Sequence, residues 1–318
     1  MKHTIFGKTG DTISTVGFGA WGISGRDWGK TDDEKSKKAI HEAIDQGITF
    51  IDTADTYGFG HSEILISEVL KERGGKPDNL FIASKAGNNF YPFIDKEYIT
   101  TPANPDYSVK HLTFAVEQSL KRLNLEVLNL LQLHSPPVDI LKQEEPWIAL
   151  EKLKRDGKIR FAGLSVQSFK ETEQAFLLDE HHDVLDALQI RYNIMERGAE
   201  DVLLPKAEKY NMGVIARIPL LFGMLTGKFT RESRFGTDDH RQWNLSPEKL
   251  NDYINRFEKA SKFYERYDDF TAAQISLAFT ISNPACHVVI PGGKSPQQVR
   301  ENARAADVDI PFKDYPLF

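Results

Sequence analysis

Apolar and polar positions alternate with two different periods along most of this chain. From residue 15 onward, short runs rich in β-branched and aromatic residues recur, and in the longer segments between them apolar residues lie three and four positions apart. The first period is typical of a buried strand and the second of an amphipathic helix. The pattern therefore predicts an α/β fold in which strands and helices alternate.

The boundaries of the predicted elements follow from the same pattern. The predicted strands cover residues 16–18, 49–52, 80–84, 128–133, 161–165, 187–191, 214–218 and 288–290. The predicted helices cover residues 31–45, 62–71, 108–123, 148–156, 170–178, 201–210, 251–266 and 295–305. The first of these helices is predicted to begin with a capping box formed by Thr31 and Glu34.

The order of these elements predicts one (β/α)8 TIM barrel. Helical material separates the strands, and no linker divides residues 1–318, so we expect a single domain. A doubly wound open sheet is the alternative, because periodicity does not distinguish the two. Two β-prone runs around a glycine-rich turn predict an N-terminal hairpin over residues 3–14. The connections over residues 86–106 and 220–250 are too long for plain turns, and long loops usually carry function.

Composition excludes several classes of protein. The 318 residues include 40 Lys and Arg against 46 Asp and Glu, a net charge of −6, which argues against a general nucleic-acid binder. The single cysteine, Cys286, excludes an internal disulfide. No signal peptide is evident, and no apolar run approaches the ~18 residues of a membrane span. We expect a soluble cytoplasmic protein with no nucleic-acid or membrane partner, either a monomer or a small homo-oligomer.

Several motifs do not lead to a site. Residues 17–22 read Gly-x-Gly-x-x-Gly after a strand, but no helix opens inside the motif as a Rossmann turn requires. We interpret these glycines as bending a loop across the barrel mouth. No metal is predicted, because residues 41–45 lack the second His of His-Glu-x-x-His and adjacent side chains in 181–183 do not converge on one face.

Four titratable residues lie at or just after three successive strand ends. Asp52 ends the second strand, Tyr57 follows five residues later, and Lys85 and His134 end the third and fourth strands. Any one of them could simply cap the next element. In a closed parallel barrel, however, the carboxyl ends of the strands share one face, where catalytic residues collect. An acid, a phenol, an ammonium and an imidazole are therefore expected to converge there.

These four groups permit carbonyl reduction. An ammonium beside a phenol lowers the pKa of that phenol, and a carboxylate holds the ammonium in place. An adjacent imidazole can polarise a carbonyl oxygen, so the group could protonate an alkoxide as it forms. Since no side chain donates hydride, a nicotinamide is required. A lysine at this position also permits a Schiff-base lyase that uses Lys85.

Ordered motifs along the chain carry a resemblance to a known family. They are residues 47–58, Lys85, residues 130–134, residues 157–165 and residues 219–228. From residue 3 to residue 305 the chain resembles the aldo-keto reductases, which are (β/α)8 barrels that reduce aldehydes and ketones with NAD(P)H and without a metal. The resemblance implies that Tyr57 is the general acid, that Lys85 and Asp52 tune it, and that His134 places the carbonyl. It also leaves open a non-catalytic subunit that senses nicotinamide nucleotides.

The resemblance further implies a cofactor site. Ser165 and Gln189 match positions that hold the nicotinamide carboxamide, whereas Val166 replaces the usual Asn, and Arg217 stands where the ring often stacks on Tyr. The remaining implied cofactor positions are Gly19, Trp21, Pro219, Leu220, Gly223, Leu225, Lys228, Gly292, Lys294, Gln298 and Asn302.

The preference for NADPH or NADH is expected to depend on a phosphate-binding segment near the C-terminus, residues 290–302. Lys294 precedes a helix that Ser295 can cap, and a helix N-terminus beside a Lys is an anion site. Gln298 stands where members with a strong NADPH preference often have Arg, and it could instead complete a capping box with Ser295. We expect NADPH to be preferred, with NADH as the alternative.

Aromatic side chains on the mouth loops could wall the pocket of a small-molecule carbonyl substrate. Plain packing under long loops is the alternative for each of them. Besides Trp21, the candidates are Trp28, Phe90, Tyr91, Phe222 and Trp243. They favour an aromatic or aliphatic carbonyl without choosing one.

Overall fold

The chain begins with the expected hairpin. The computed structural model describes residues 1–95 and 102–317, so residues 96–101 of the predicted 86–106 loop lie outside the described residues. Strands β1 (His3–Ile5) and β2 (Thr12–Ser14) pair in antiparallel fashion.

Eight parallel strands follow in one sheet, each bonded to the next along the chain. They are β3 Phe18–Gly19, β4 Phe50–Asp52, β5 Phe81–Ala86, β6 Leu128–His134, β7 Ile159–Ser165, β8 Ala187–Arg191, β9 Gly213–Arg217 and β10 Val288–Val289. Two bridges close the sheet by joining Val16 to Val289 and Gly19 to Gly292. The predicted barrel is confirmed, and the open sheet is wrong because its edges are joined.

Glycine at position 19 is required by this closure. The Gly19 N–H donates to the Pro291 carbonyl at 3.0 Å. A Cβ on Gly19 would lie 2.7 Å from the Ile290 carbonyl oxygen, closer than side chains pack. The glycine therefore lets the first and last strands approach each other, which is a role in barrel closure beyond the loop bending we expected.

Helices cover the outside of the sheet. They are α1 Asp33–Asp45, α2 His61–Glu72, α3 Val109–Leu123, α4 Val138–Leu141, α5 Glu145–Arg155, α6 Glu171–Gln174, α7 Leu177–His181, α8 Leu203–Lys209, α9 Arg241–Asn244, α10 Pro247–Lys259, α11 Ser261–Tyr264, α12 Ala272–Ser282 and α13 Pro296–Ala303. The predicted helices over 170–178 and 251–266 are wrong in extent, since each region contains two helices.

Two further differences concern helix starts and a missed helix. The predicted capping box of Thr31 is wrong, because the Asp32 carboxylate caps α1 by accepting from the Lys35 N–H at 3.1 Å. Helix α12 was not predicted, since most of its side chains are buried and it lacks an amphipathic period. The capping box formed by Thr271 and Gln274 was the available signal.

The strand register brings polar residues to one end of the barrel. Lys85 pairs with Gln132, His134 with Ser165, and Ser165 with Gln189. All of these positions lie toward the carboxyl ends of their strands, and the opposite end of the barrel is apolar. The fold thus separates a polar mouth from a hydrophobic floor.

The floor is sealed by Phe6 from the hairpin. Its fully buried ring contacts those of Phe50 and Phe81 edge to face, with centroids 5.6 Å away in each case. Such aromatic pairs add to the stabilisation from burial alone. The hairpin therefore acts as a plug for the end of the barrel away from the polar residues.

Removing the plug is expected to destabilise the barrel. Phe6→Ala should lower the free energy of unfolding by about 3–5 kcal/mol, because it leaves a cavity that the strands cannot fill. Urea denaturation followed by circular dichroism measures this. Ile5→Ala, at a neighbouring side chain that is 62% exposed, should change stability by less than about 0.5 kcal/mol. Equal losses in both variants would contradict the plug.

Candidate active site

Three of the four titratable side chains meet directly at the mouth. Lys85 is buried, and its Nζ donates to Asp52 Oδ2 at 2.6 Å, to the Thr53 carbonyl at 2.8 Å and to the Tyr57 hydroxyl oxygen at 3.1 Å. An ammonium has three N–H donors, so all of them are used. The Tyr57 oxygen thus accepts from Lys85 and keeps its own O–H for another acceptor.

Burial opposes the charge on Lys85, but its partners outweigh burial. Desolvation lowers the pKa of Lys85, whereas Asp52 and Tyr57 together raise it above the usual value. Lys85 is therefore an ammonium with no free lone pair. This state does not favour the Schiff-base lyase, which requires a neutral amine.

Two amides hold the second oxygen of Asp52. Gln189 Nε2 donates to Oδ1 at 2.7 Å and Gln132 Nε2 donates at 3.1 Å. Gln189 also donates to the Gln132 side-chain oxygen at 3.1 Å, which uses both of its N–H groups and leaves its carbonyl oxygen as an acceptor. Sequence reasoning did not assign Gln132 to the site. The available signal was that Gln132 lies two residues before His134 and therefore on the same face of strand β6.

The net pKa of Tyr57 differs from our expectation. Burial raises the pKa of the Tyr57 phenol above its usual value, and the lowering by Lys85 does not cancel that effect. The phenol is therefore protonated at neutral pH. It is ready to act as a proton donor, not as a phenolate.

His134 lies beside Tyr57 in its neutral form. The two rings are 5.9 Å apart, edge to face, and Thr56 Oγ1 lies 3.4 Å from Nδ1. Burial, together with the charges of Lys85 and Arg217, lowers the pKa of His134 well below its usual value. A neutral ring that accepts from Thr56 at Nδ1 carries its hydrogen on Nε2, where it can donate to a carbonyl oxygen.

Most of the predicted residues line one cavity of about 930 Å³ at the mouth. A ligand pocket of a few hundred to about 1,000 Å³ is typical of small-molecule sites. From the predicted set it is lined by Gly19, Trp21, Trp28, Asp52, Tyr57, His134, Ser165, Gln189, Arg217, Pro219, Leu220, Phe222, Gly223, Lys228, Gly292, Lys294, Gln298 and Asn302. Lys85 lies beneath this lining.

Besides Lys85, four predicted residues do not line the cavity. Leu225 and Phe90 are fully buried in the core. Tyr91 stacks on Phe90, with ring centroids 4.3 Å apart, and accepts a hydrogen bond from Arg122. Trp243 is 53% exposed. Described residues of the 220–250 loop line the cavity and those of the 86–106 loop do not, so loop position does not determine where a side chain points.

The aromatic wall is smaller than expected and includes His240. This imidazole stacks on Trp21 with centroids 4.6 Å apart and meets Trp28 at 4.4 Å and Phe222 at 5.0 Å. Burial lowers the pKa of His240 to about 4, so the ring is neutral. Its place within the predicted 220–250 loop was the available signal.

Basic side chains line the part of the cavity next to helix α13. They are Lys228, Arg241 and Lys294. The Ser295 side chain caps α13 by accepting from the Gln298 N–H, while the Gln298 side-chain oxygen accepts from the Lys294 N–H at 2.8 Å. The capping box considered for Gln298 is therefore incomplete. Lys294 Nζ lies 4.8 Å from the Trp28 ring centroid.

Further lining residues were not predicted. They include Ser135, Ser168, Arg191, Arg241 and Asn244. Ser135 directly follows His134, and its hydroxyl lies 3.4 Å from that of Ser165. It could supply a polar contact that Val166 cannot.

The chain matches a known protein family over nearly its whole length. A model of the Aldo/keto reductase family matches residues 15–317. The chain is 31% identical over 301 residues to the aldo-keto reductase YhdN of Bacillus subtilis, covering 94% of this chain and 87% of that protein. It is 28% identical over 328 residues to the NADH-specific methylglyoxal reductase of Escherichia coli, covering 100% and 97%.

A solved structure agrees with these matches. The glycerol dehydrogenase AKR11B4 from Gluconobacter oxydans superposes with a TM-score of 0.80 at 31% identity, covering 95% of this chain and 89% of that one. Within the described part of this chain, no helix has the length and apolar character needed to cross a membrane. Since the family match spans nearly every element of the barrel, the chain belongs to the aldo/keto reductase family and is an NAD(P)H-dependent oxidoreductase.

Proposed function

We propose that this protein reduces a small aldehyde or ketone to the alcohol with NADPH, and that Tyr57 is the proton donor. The observation that carries the proposal is the use of all three Lys85 donors. Because Lys85 donates into the Tyr57 oxygen, the phenolic O–H is directed elsewhere, and Tyr57 lines the cavity. A positioned acid of this kind contributes roughly 10²–10⁴-fold to a rate.

The residues of the cavity fit a nicotinamide dinucleotide. Its volume suits such a ligand, Ser165 and the free carbonyl oxygen of Gln189 can bind the carboxamide, and the buried Nε of Arg217 lacks a hydrogen-bond partner. Lys228 and Lys294 would contact the phosphates. When bound, the reduced nicotinamide supplies the hydride that the side chains cannot.

The side chains then position the substrate carbonyl and supply the proton. His134 Nε2 and the Tyr57 O–H donate to the substrate carbonyl oxygen and fix its position. As charge develops on that oxygen, Tyr57 transfers its proton. Lys85 stabilises the resulting negative charge on the Tyr57 oxygen, and Asp52 keeps Lys85 in place. The aromatic wall of Trp21, Trp28, Phe222 and His240 excludes water from one side.

A turnover assay tests the proposal. Loss of reduced-nicotinamide absorbance is followed with NADPH and NADH in parallel, over a carbonyl panel that includes methylglyoxal, the substrate in the name of the Escherichia coli relative. We expect turnover of at least one aldehyde, with a higher kcat/KM for NADPH. A preference for NADH would overturn the cofactor assignment, and no turnover with either nucleotide would overturn the function.

Lys294 is expected to make nucleotide binding sensitive to pH. Burial lowers the pKa of Lys294 to about 8, so its ammonium is largely charged at pH 7 and largely neutral at pH 9. The Kd for NADPH should therefore rise by about tenfold between these pH values. Fluorescence titration measures this, with Lys294→Gln as the control. That variant should bind more weakly at pH 7 and lose the dependence, whereas an unchanged dependence would contradict the assignment.

A further inference from the structure

Arg217 places a cation at the mouth of the cavity. One of its terminal nitrogens donates to the Val166 carbonyl and to Ser168 Oγ, both at 3.0 Å. Its Nε is buried and has no hydrogen-bond partner. Across residues 1–95 and 102–317, no acidic group forms an ion pair with Arg217. A guanidinium keeps its charge even when burial lowers its pKa, as it does here.

The neighbouring buried cations are compensated. Lys85 pairs with Asp52 at 2.6 Å, and Arg191 pairs with Glu196 at 2.6 Å. In the described part of the chain, Arg217 differs from these two cations in having no ion-pair partner, although Glu171, Asp52 and Arg191 are near enough to affect its pKa. Arg217 is partly buried and its Nε is fully buried, and a charge held away from water without a counter-ion is costly, so a binding partner or a functional role is expected.

The charge of Arg217 affects the two side chains that are proposed to contact the substrate carbonyl, His134 and Tyr57. It contributes to lowering the pKa of His134 and opposes the rise in the pKa of Tyr57. These are the two groups that hold the carbonyl oxygen. In a buried site the charge of Arg217 is poorly screened by salt. A change in the charge of a ligand bound next to Arg217 therefore alters the free energy of binding that ligand.

We propose that Arg217 makes the site select the reduced over the oxidised form of the nicotinamide nucleotide, an inference that rests on the proposed function. In carbonyl reduction, a hydride, which is one proton with two electrons, would pass from a bound nucleotide to the carbonyl carbon, while Tyr57 gives the oxygen a proton. The bound nicotinamide would thereby gain one positive charge, and Arg217 stands at the position where the family resemblance places the ring. The phosphates are the same in both forms, so Lys228 and Lys294 do not discriminate between them.

A purely structural role for Arg217 predicts a different outcome. If its planar group only supported the ring, both redox forms would lose affinity equally when it is replaced. Only differential binding changes the ratio of the two affinities. The ratio of the Kd for NADP⁺ to the Kd for NADPH therefore separates the two roles, and it is measured without turnover.

The test is calorimetric titration of the full-length protein with NADPH and with NADP⁺. We expect the wild-type protein to bind NADPH at least about tenfold more tightly. Arg217→Gln keeps a donor for Val166 but removes the charge, and should bring the ratio close to one. Arg217→Lys should retain most of the preference. Lys228→Gln, the matched control, should weaken both forms alike and leave the ratio unchanged.

Each other outcome overturns the inference. A wild-type ratio near one, or an unchanged ratio in Arg217→Gln, would show that the charge does not discriminate. If those results accompany normal carbonyl reduction, the proposed function stands and only the role of Arg217 is lost. If the wild-type protein binds neither form, the proposed function fails as well.

Discussion

Tyr57→Phe is expected to lower kcat for carbonyl reduction by roughly 10²–10⁴-fold, the range that loss of a positioned general acid produces. The ring still fills its place beside Trp21, which stacks on it with centroids 6.1 Å apart. The variant should therefore fold and bind NADPH as the wild-type protein does. Steady-state kinetics with the best aldehyde of the panel measures the loss, and fluorescence titration measures the unchanged Kd.

A matched control separates chemistry from the loss of a hydroxyl group in general. Tyr210 lies on the outside of the barrel, where its hydroxyl donates to Asp179 at 2.8 Å. Tyr210→Phe removes the same atom and should leave kcat unchanged. Tyr57→Phe with wild-type kcat would show that another group donates the proton.

The strand ends are the part of this molecule that the sequence determines most directly. Apolar runs bounded by polar residues are enough to locate β4, β5 and β6, since a parallel barrel requires buried strands with both faces covered. Asp52 and His134 end β4 and β6, and Lys85 is the penultimate residue of β5. Their convergence then follows from topology, and no side-chain detail is needed to predict it.

Side-chain direction on the loops is not determined in the same way. Phe90 and Phe222 both belong to the predicted mouth loops, yet Phe90 packs in the core on Phe59 and Phe222 lines the cavity. The backbone decides this outcome: Phe222 has a φ of 58°, a conformation that a local sequence pattern does not predict. Contacts between distant loops set such angles.

A sequence motif likewise does not predict the net pKa of a side chain on which several electrostatic effects compete. The sequence predicts that Lys85 adjoins Tyr57 and that this contact lowers the pKa of the phenol. Whether the net pKa rises or falls depends on burial, which is a property of the closed barrel. The same burial makes the Lys85–Asp52 pair indispensable, because neither charge has access to water.

Lys85→Met is expected to reduce both stability and activity. It leaves the Asp52 carboxylate buried without its cation, and breaking a buried pair in this way costs about 3–5 kcal/mol of unfolding free energy. Tyr57 loses its positioned donor as well, so kcat should fall at least roughly 10²-fold. Because the pKa of Lys85 is raised, its stabilising charge is fully present below about pH 10 and is lost only as the pH rises through the higher folded value.

The double variant distinguishes a paired charge from a general packing effect. Asp52→Asn alone should also be destabilising, because it leaves Lys85 unpaired, but Asp52→Asn with Lys85→Met should cost less than the sum of the two, since no buried charge remains. Urea denaturation at pH 7 gives the three values. Arg160→Met, which breaks an exposed pair with Asp11, should change stability by less than about 1 kcal/mol. Strict additivity at positions 52 and 85 would contradict the pairing, and full activity in the double variant would contradict the role of Lys85 in positioning Tyr57.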